Sequence, residues 1–300
     1  MTWPNFLIIG APKAGTTGMY DTLIQHPQIY MSPVKEPEFF ALEGDPLNFC
    51  GPGDEQFKRY YVTERAQYIK LFDAVLDQTA IGEASPAYLS LSEIASRRIQ
   101  HYVPHARLIA ILRQPADRAY SHYAMHVAEQ REPLSFTQAL AAEEERLRMN
   151  WKESWAYRRL GFYHHLLQPY YERFPSEQIR IYLYDDWKKK PLEVLQSIFR
   201  FLQVDDTFIP EVVISNVNML PRSRVIQGLL APTSRLKKWL KPLLPIRMSK
   251  SIGSGLRSFN KVSSPPIDPE IRRKLTEDYR EDILRLQDLI NRDLSSWLTT

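Results

Sequence analysis

The chain predicts an α/β fold, a central parallel sheet flanked by helices in three layers, and three observations lead there. Phe6-Leu-Ile-Ile9 is apolar without alternation, as in a strand covered on both faces, and it ends in a glycine loop that opens a helix. Leu108-Ile-Ala-Ile-Leu112 repeats the pattern, with Arg113 at its end and Pro115 placed to start the next helix. A buried strand running into a turn is also expected over Ala80–Leu89 and a strand over Gln178–Tyr184, followed by helical spacing over Leu91–Tyr102 and Pro191–Leu202. At 300 residues and 44% apolar content the chain can build one large core. No Gly/Ser-rich linker or internal repeat divides it, so residues 1–300 are expected to form a single domain.

The first loop carries the most chemistry. In Gly10-Ala-Pro-Lys-Ala-Gly-Thr-Thr17, glycines at both ends allow backbone angles closed to other residues, and Thr16 or Thr17 can cap the helix. Free amides and the positive end of a helix dipole then face outward, which suits a phosphate or sulfate. The loop is P-loop-like but lacks the Gly-Lys-Ser/Thr ending that serves a nucleoside triphosphate and its Mg²⁺. Its basic residue, Lys13, stands two positions before Gly15, where it can meet a single phosphate and the bridging oxygen of a leaving group.

This loop, over Pro12 to Leu23, resembles the 5′-phosphosulfate loop of the sulfotransferases that use 3′-phosphoadenosine 5′-phosphosulfate (PAPS). The resemblance implies a P-loop-like fold, a donor site built from Lys13, Ala14, Gly15, Thr16 and Thr17, and adenosine 3′,5′-bisphosphate as product. The run Lys35-Glu-Pro-Glu-Phe-Phe40 is similar to one in the carbohydrate, heparan-sulfate-like branch of that family. Pro37 keeps Glu36 out of a helix, and a surface ion pair is the plain reading of Lys35 and Glu36. The resemblance instead implies Glu36 as the general base and Lys35 beside the transferred group or the acceptor. Two departures stand out: Glu38 occupies a position where relatives often have histidine, and Ala84 one where they carry a lysine.

The second constellation is Arg113 and Ser121, eight residues apart. Ligands of open α/β sheets bind at the carboxyl ends of strands, so Arg113 should share a cleft with the Lys13 loop. A guanidinium suits bidentate contact with phosphate. The pair resembles the family's 3′-phosphate site, and Asn218-Met-Leu-Pro-Arg-Ser-Arg224 resembles the basic loop that closes over that phosphate, which implies Arg222 and Arg224 as further contacts. Arg118 reads equally as a phosphate contact or a surface ion pair. His122 and His126 have metal-ligand spacing but no third ligand, so no metal is expected.

The remaining segments read mainly as packing. Tyr60 and Tyr61, in an expected helix QFKRYY, and Gly161 and Tyr163, before Phe174-Pro175, are read as core, with Tyr163 also a candidate acceptor contact. Glu143–Arg148 reads as a solvated helix face. The final stretch, 268–298, should form one packing helix over Pro269 to Trp297. Between Val212 and Ile267 there is no acidic residue and there are ten basic ones. This insert is either a solvated flap or a surface for an anionic partner, with 233–261 and Trp239, Leu240, Leu243 and Leu244 making weak contact. The opening residues carry no basic leader, no run approaches the ~18 apolar residues of a membrane span, and Cys50 is the only cysteine. A reducing, cytoplasmic setting is therefore expected.

The function expected is sulfuryl transfer from PAPS to an acceptor hydroxyl, the acceptor being a small molecule or a polysaccharide and no nucleic acid being involved. A nucleotide kinase, which would demand Mg²⁺ and ATP, and a non-catalytic anion-binding protein remain the alternatives.

Overall fold

The computed structural model describes residues 1–213, 219–221, 261–263 and 265–299. Five strands form one sheet: β1 (Phe6–Gly10), β2 (Ile29–Met31), β3 (Ala80–Ala84), β4 (Arg107–Leu112) and β5 (Ile179–Leu183). Their order is β2-β3-β1-β4-β5 and every pairing is parallel. All five residues of β1 and the last five of β4 are buried, so helices cover both faces of the sheet, as their unbroken apolar runs predict. The chain builds β2 and β3 on one side of β1 and then crosses to build β4 and β5 on the other. That change of direction makes the carboxyl ends of β1 and β4 the place where an open α/β sheet leaves a crevice.

Local sequence sets the helix starts. Helix α1 (Thr16–Leu23) follows Gly15, whose φ of 107° belongs to the left-handed region that suits glycine. Helices α2 (Phe39–Leu42), α3 (Arg65–Lys70), α4 (Ala87–Ser90) and α5 (Ser92–Tyr102) come next. In α6 (Pro115–Ala128), Pro115 holds the first position and the Asp117 amide donates to the Gln114 side chain at 2.8 Å. A capping box between Ser135 and Gln138 begins α7 (Phe136–Ala141). There follow α8 (Glu143–Arg148), α9 (Tyr163–Arg173), α10 (Tyr184–Lys189) and α11 (Pro191–Leu202). A short antiparallel ribbon pairs β6 (Met219–Pro221) with β7 (Lys261–Ser263), and β6 lies beside α6. No helix among the described residues is long and apolar enough to cross a membrane.

Three sequence expectations change. The QFKRYY stretch is not a helix but two single 3₁₀ turns, Asp54–Gln56 and Lys58–Tyr60, with Tyr60 half-exposed. Glu143 and Arg146 are buried, so α8 is no solvated face: the Glu143 carboxylate accepts the Arg158 and Arg159 amides, and Arg146 forks onto Glu132. The final helix runs only from Pro269 to Ile290, because Asn291 turns left-handed at φ 49°. Residues Leu294 and Trp297 then fold back into the core.

The C-terminal helix packs through its Tyr279 onto Gly161. A Cβ at Gly161 would lie 2.7 Å from Tyr279 Cζ, and the Tyr279 hydroxyl is fixed by donation to the Arg158 carbonyl at 2.8 Å. Gly161→Ala should therefore overpack this seam and cost about 1–3 kcal/mol of stability. Urea unfolding checks this; a midpoint equal to wild type would show that the seam yields freely.

Candidate active site

A cavity of about 740 Å³ opens at the carboxyl ends of β1 and β4. One wall is the first loop. Lys13 sits there at φ 68°, and Gly15, Thr16 and Thr17 follow it around the turn into α1. A Cβ at Gly15 would come within 3.0 Å of the Tyr184 ring, so the loop also needs glycine for space. The first amides of α1 have no partners within the helix. The Ala14 amide is different, since it donates to the Ala11 carbonyl at 3.2 Å.

Strand pairing brings the second motif to this loop. Gly10 pairs with Ala110, the Ala11 amide donates to the Ile111 carbonyl at 2.8 Å, and Arg113 Nη1 reaches the Lys13 carbonyl at 3.4 Å. The Arg113 guanidinium stacks over Tyr184, its carbon 5.1 Å from the ring centre. Ser121 lines the same cavity from α6. Lys13 Nζ has the Met125 sulfur at 3.3 Å and no carboxylate in ion-pair reach among the described residues. Burial draws its ammonium down to about 8, helped by Arg113 and Lys35 and opposed by Glu129 and Glu36.

Opposite stands the Lys35–Phe40 turn. Glu36 and Glu38 both adopt left-handed backbone, φ 59° and 55°, and both line the cavity. The Glu36 amide is anchored to the Ala84 carbonyl at 3.0 Å. Lys35 Nζ bridges the two motifs, donating to Thr17 Oγ1 at 2.9 Å and to Glu36 Oε1 at 2.7 Å. The ion pair of the plain reading thus exists, and it stands at the cavity mouth with Glu36 43% exposed.

Other expected residues go elsewhere. Tyr163 is fully buried and does not line the cavity; its hydroxyl donates to the Arg113 carbonyl at 2.9 Å, which steadies the arginine from behind. Arg118 is not a surface pair: it is fully buried outside the cavity lining and donates to the Tyr157 carbonyl and to His122 Nδ1. His122 and His126 line the cavity, but no group of three metal-ligating side chains occurs among the described residues. Arg222, Arg224 and the apolar residues of the basic insert lie outside the described residues.

The far wall was invisible to motif reasoning. It consists of Phe57, Tyr61, Arg131 and Lys152-Glu-Ser154, while Lys188 joins the opposite, loop side beside Tyr184. Lys152 Nζ lies 3.1 Å from Glu38 Oε1, 3.2 Å from Glu153 and 4.7 Å from the centre of the Tyr61 ring. Burial pushes the Glu38 carboxyl up to about 8, against the pull of Lys152 and with the help of Glu153 and Glu36. The only sequence signal for this wall was the departure at Glu38.

The sulfotransferase domain model matches residues 4–221. This chain belongs to the sulfotransferase family. It is 26% identical over 346 residues to human carbohydrate sulfotransferase 15, covering 99% of this chain and 55% of that protein. It is also 26% identical over 315 residues to human bifunctional heparan sulfate N-deacetylase/N-sulfotransferase 3, covering 98% and 31%. The chain therefore spans only part of the length of these relatives. A solved sulfotransferase from Alicyclobacillus acidocaldarius is similar over the whole of both chains, with a TM-score of 0.79 at 32% identity.

One electrostatic consequence can be measured on this member of the family without a ligand. Burial, joined by the Arg131 charge, holds His126 down to about 2, and His122 is likewise held well below its ordinary value. The unfolded chain binds protons on these rings below about 6.5 while the folded chain does not, so stability is full above that pH and is lost as pH falls toward 2. Each such proton contributes a slope of about 1.4 kcal/mol per pH unit. His126→Gln should make the acid limb of stability against pH shallower by roughly one proton. An unchanged slope would mean that the folded protein protonates this ring.

Proposed function

We propose that this chain moves a sulfuryl group from PAPS, the donor its family uses, to a hydroxyl of a carbohydrate acceptor. One observation carries the reading: two cations without carboxylate partners, Lys13 and Arg113, meet at the end of β1 and β4 while Glu36 borders the same cavity. Cations left without carboxylates suit the phosphates of the donor, and the loop amides supply further donors to an oxyanion. Arg113 with Ser121 takes the 3′-phosphate, and Lys13 with Gly15, Thr16 and Thr17 takes the 5′-phosphosulfate.

The acceptor oxygen attacks sulfur in line. A bond forms from that oxygen to sulfur as the bond from sulfur to the bridging 5′-phosphate oxygen breaks, and the electron pair leaves with adenosine 3′,5′-bisphosphate. Glu36 receives the hydroxyl proton. Lys13 meets the charge growing on the departing oxygen. Lys35, held between Thr17 and Glu36, orients the carboxylate relative to the donor loop.

Adenosine 3′,5′-bisphosphate should raise the melting temperature more than ADP does at equal concentration, and Arg113→Ala should erase the difference. At a hundredfold excess over its dissociation constant a ligand adds about 2.7 kcal/mol, so the shift is easily read by calorimetry. Equal shifts from both nucleotides would refute the 3′-phosphate assignment.

Glu36→Gln keeps the shape of the side chain and removes the base. Turnover should fall by ~10² to 10⁴-fold, roughly 3 to 5 kcal/mol of barrier, with bisphosphate affinity and unfolding midpoint almost unmoved. Lys13→Ala should instead weaken both donor binding and turnover. Retention of more than about a tenth of kcat in Glu36→Gln, with chemistry rate-limiting, would move the base elsewhere.

A further inference from the structure

The two halves of the cavity treat charge differently. On the strand-end side, Lys13, Arg113 and Lys188 have no carboxylate within ion-pair distance among the described residues; their neighbours are the Met125 sulfur, a backbone carbonyl and the Tyr184 ring. On the far side every cation among the described residues is already paired. Lys152 is held by Glu38 at 3.1 Å and Glu153 at 3.2 Å, Lys35 by Glu36 at 2.7 Å, and Arg131 by the buried Asp54. Arg131 also has Glu129 at 3.4 Å, so five carboxyl groups share three cations, and an incoming anion would find no free positive charge there among the described residues and would face surplus carboxylate even with Glu38 protonated.

The same half holds two buried polar atoms that no protein group satisfies, Glu38 Oε2 and His126 Nε2. The His126 ring is fixed by its neighbours. Arg146 forks onto both Glu132 oxygens, and the Tyr157 hydroxyl donates its one proton to Glu132 at 2.9 Å, so it accepts from His126 Nδ1 at 2.8 Å. That leaves Nε2 as a bare lone pair. His126 lines the cavity and its Nε2 needs a hydrogen-bond donor, which a hydroxyl supplies and a carboxylate or sulfate cannot; a hydroxyl can also pair with the Glu38 carboxyl in either protonation state.

We infer that the acceptor is an uncharged, hydroxyl-rich molecule, a neutral saccharide, and that polyanionic saccharides are disfavoured. The inference rests on the sulfuryl-transfer reading above and narrows its substrate. It runs against the opposite expectation from the basic insert, whose ten cations would gather a polyanion.

The test uses the full chain, labelled PAPS and matched oligosaccharides of equal length, one neutral series and one in which alternate sugars are uronic acids. Neutral acceptors should give kcat/KM at least roughly tenfold higher, a ratio equal to ~1.4 kcal/mol, with little dependence on salt. Glu153→Gln, which releases one of the two carboxylates on Lys152, should narrow that ratio while leaving the melting shift from adenosine 3′,5′-bisphosphate unchanged. A preference for the uronate series, or turnover on it that falls steeply with salt, would overturn the inference while the donor reading stands. No bisphosphate-induced shift and no transfer to any acceptor would remove the underlying reading and the inference with it.

Discussion

The parallel pairing of β1 with β4 is the constraint on which the site depends. Neither loop can hold a polyanion alone, since Lys13 is one charge on a short turn and Arg113 one charge at a strand end. Laid side by side, with one shift of register between Ile8 and Gly10, the two strands bring the Arg113 guanidinium to 3.4 Å from the backbone carbonyl of Lys13. Burial is the main cause that depresses the Lys13 ammonium, and the like charge of Arg113 adds to it. A phosphate between them would relieve it, so the pairing energy of buried strands holds open a site that is electrostatically unsatisfied until a ligand arrives.

The opposite wall is assembled on another principle. Asp54 accepts from Arg131, the Trp155 indole at 3.0 Å and the Gly51 and Lys152 amides, while Glu132 gathers Arg146 and Tyr157. These are buried ions satisfied by several donors each, the condition under which burying charge is tolerable at all. They tie the irregular 48–62 stretch to the loops around α7 and α8. Irregular backbone is thereby held rigid enough to present Tyr61, Lys152 and Glu153 as a surface. Charge on this wall is neutralised internally and charge on the loop wall is not, a division of labour that suits a reaction joining an anionic donor to a second substrate.

The loop half of the cavity was legible in the sequence because its chemistry is local. A glycine loop between strand and helix, or an arginine closing a strand before a proline-led helix, announces itself within a dozen residues, and backbone sterics leave few alternatives. The sheet was legible for the same reason: β1 and β4 are unbroken apolar runs that only a doubly covered strand accommodates. Glu36 was reached through the family resemblance, since a charge pair before a proline has an ordinary surface reading.

The far half was not legible. Glu38 and Lys152 are 114 residues apart and touch at 3.1 Å, and Asp54 and Arg131 are 77 apart. No periodicity or motif encodes such pairs. Glu143 and Arg146 looked solvated because a charged helical run is usually a wet face, and only the arrival of Arg158, Arg159 and Glu132 makes their burial affordable. By itself the sequence determined the sheet, the anion loop and the residues at its strand ends, because short-range sterics and apolar patterning act within each segment. Which charges are paired and which are left free for a substrate was decided only by tertiary structure, because the cost of burying an ion depends on partners that folding brings from far along the chain.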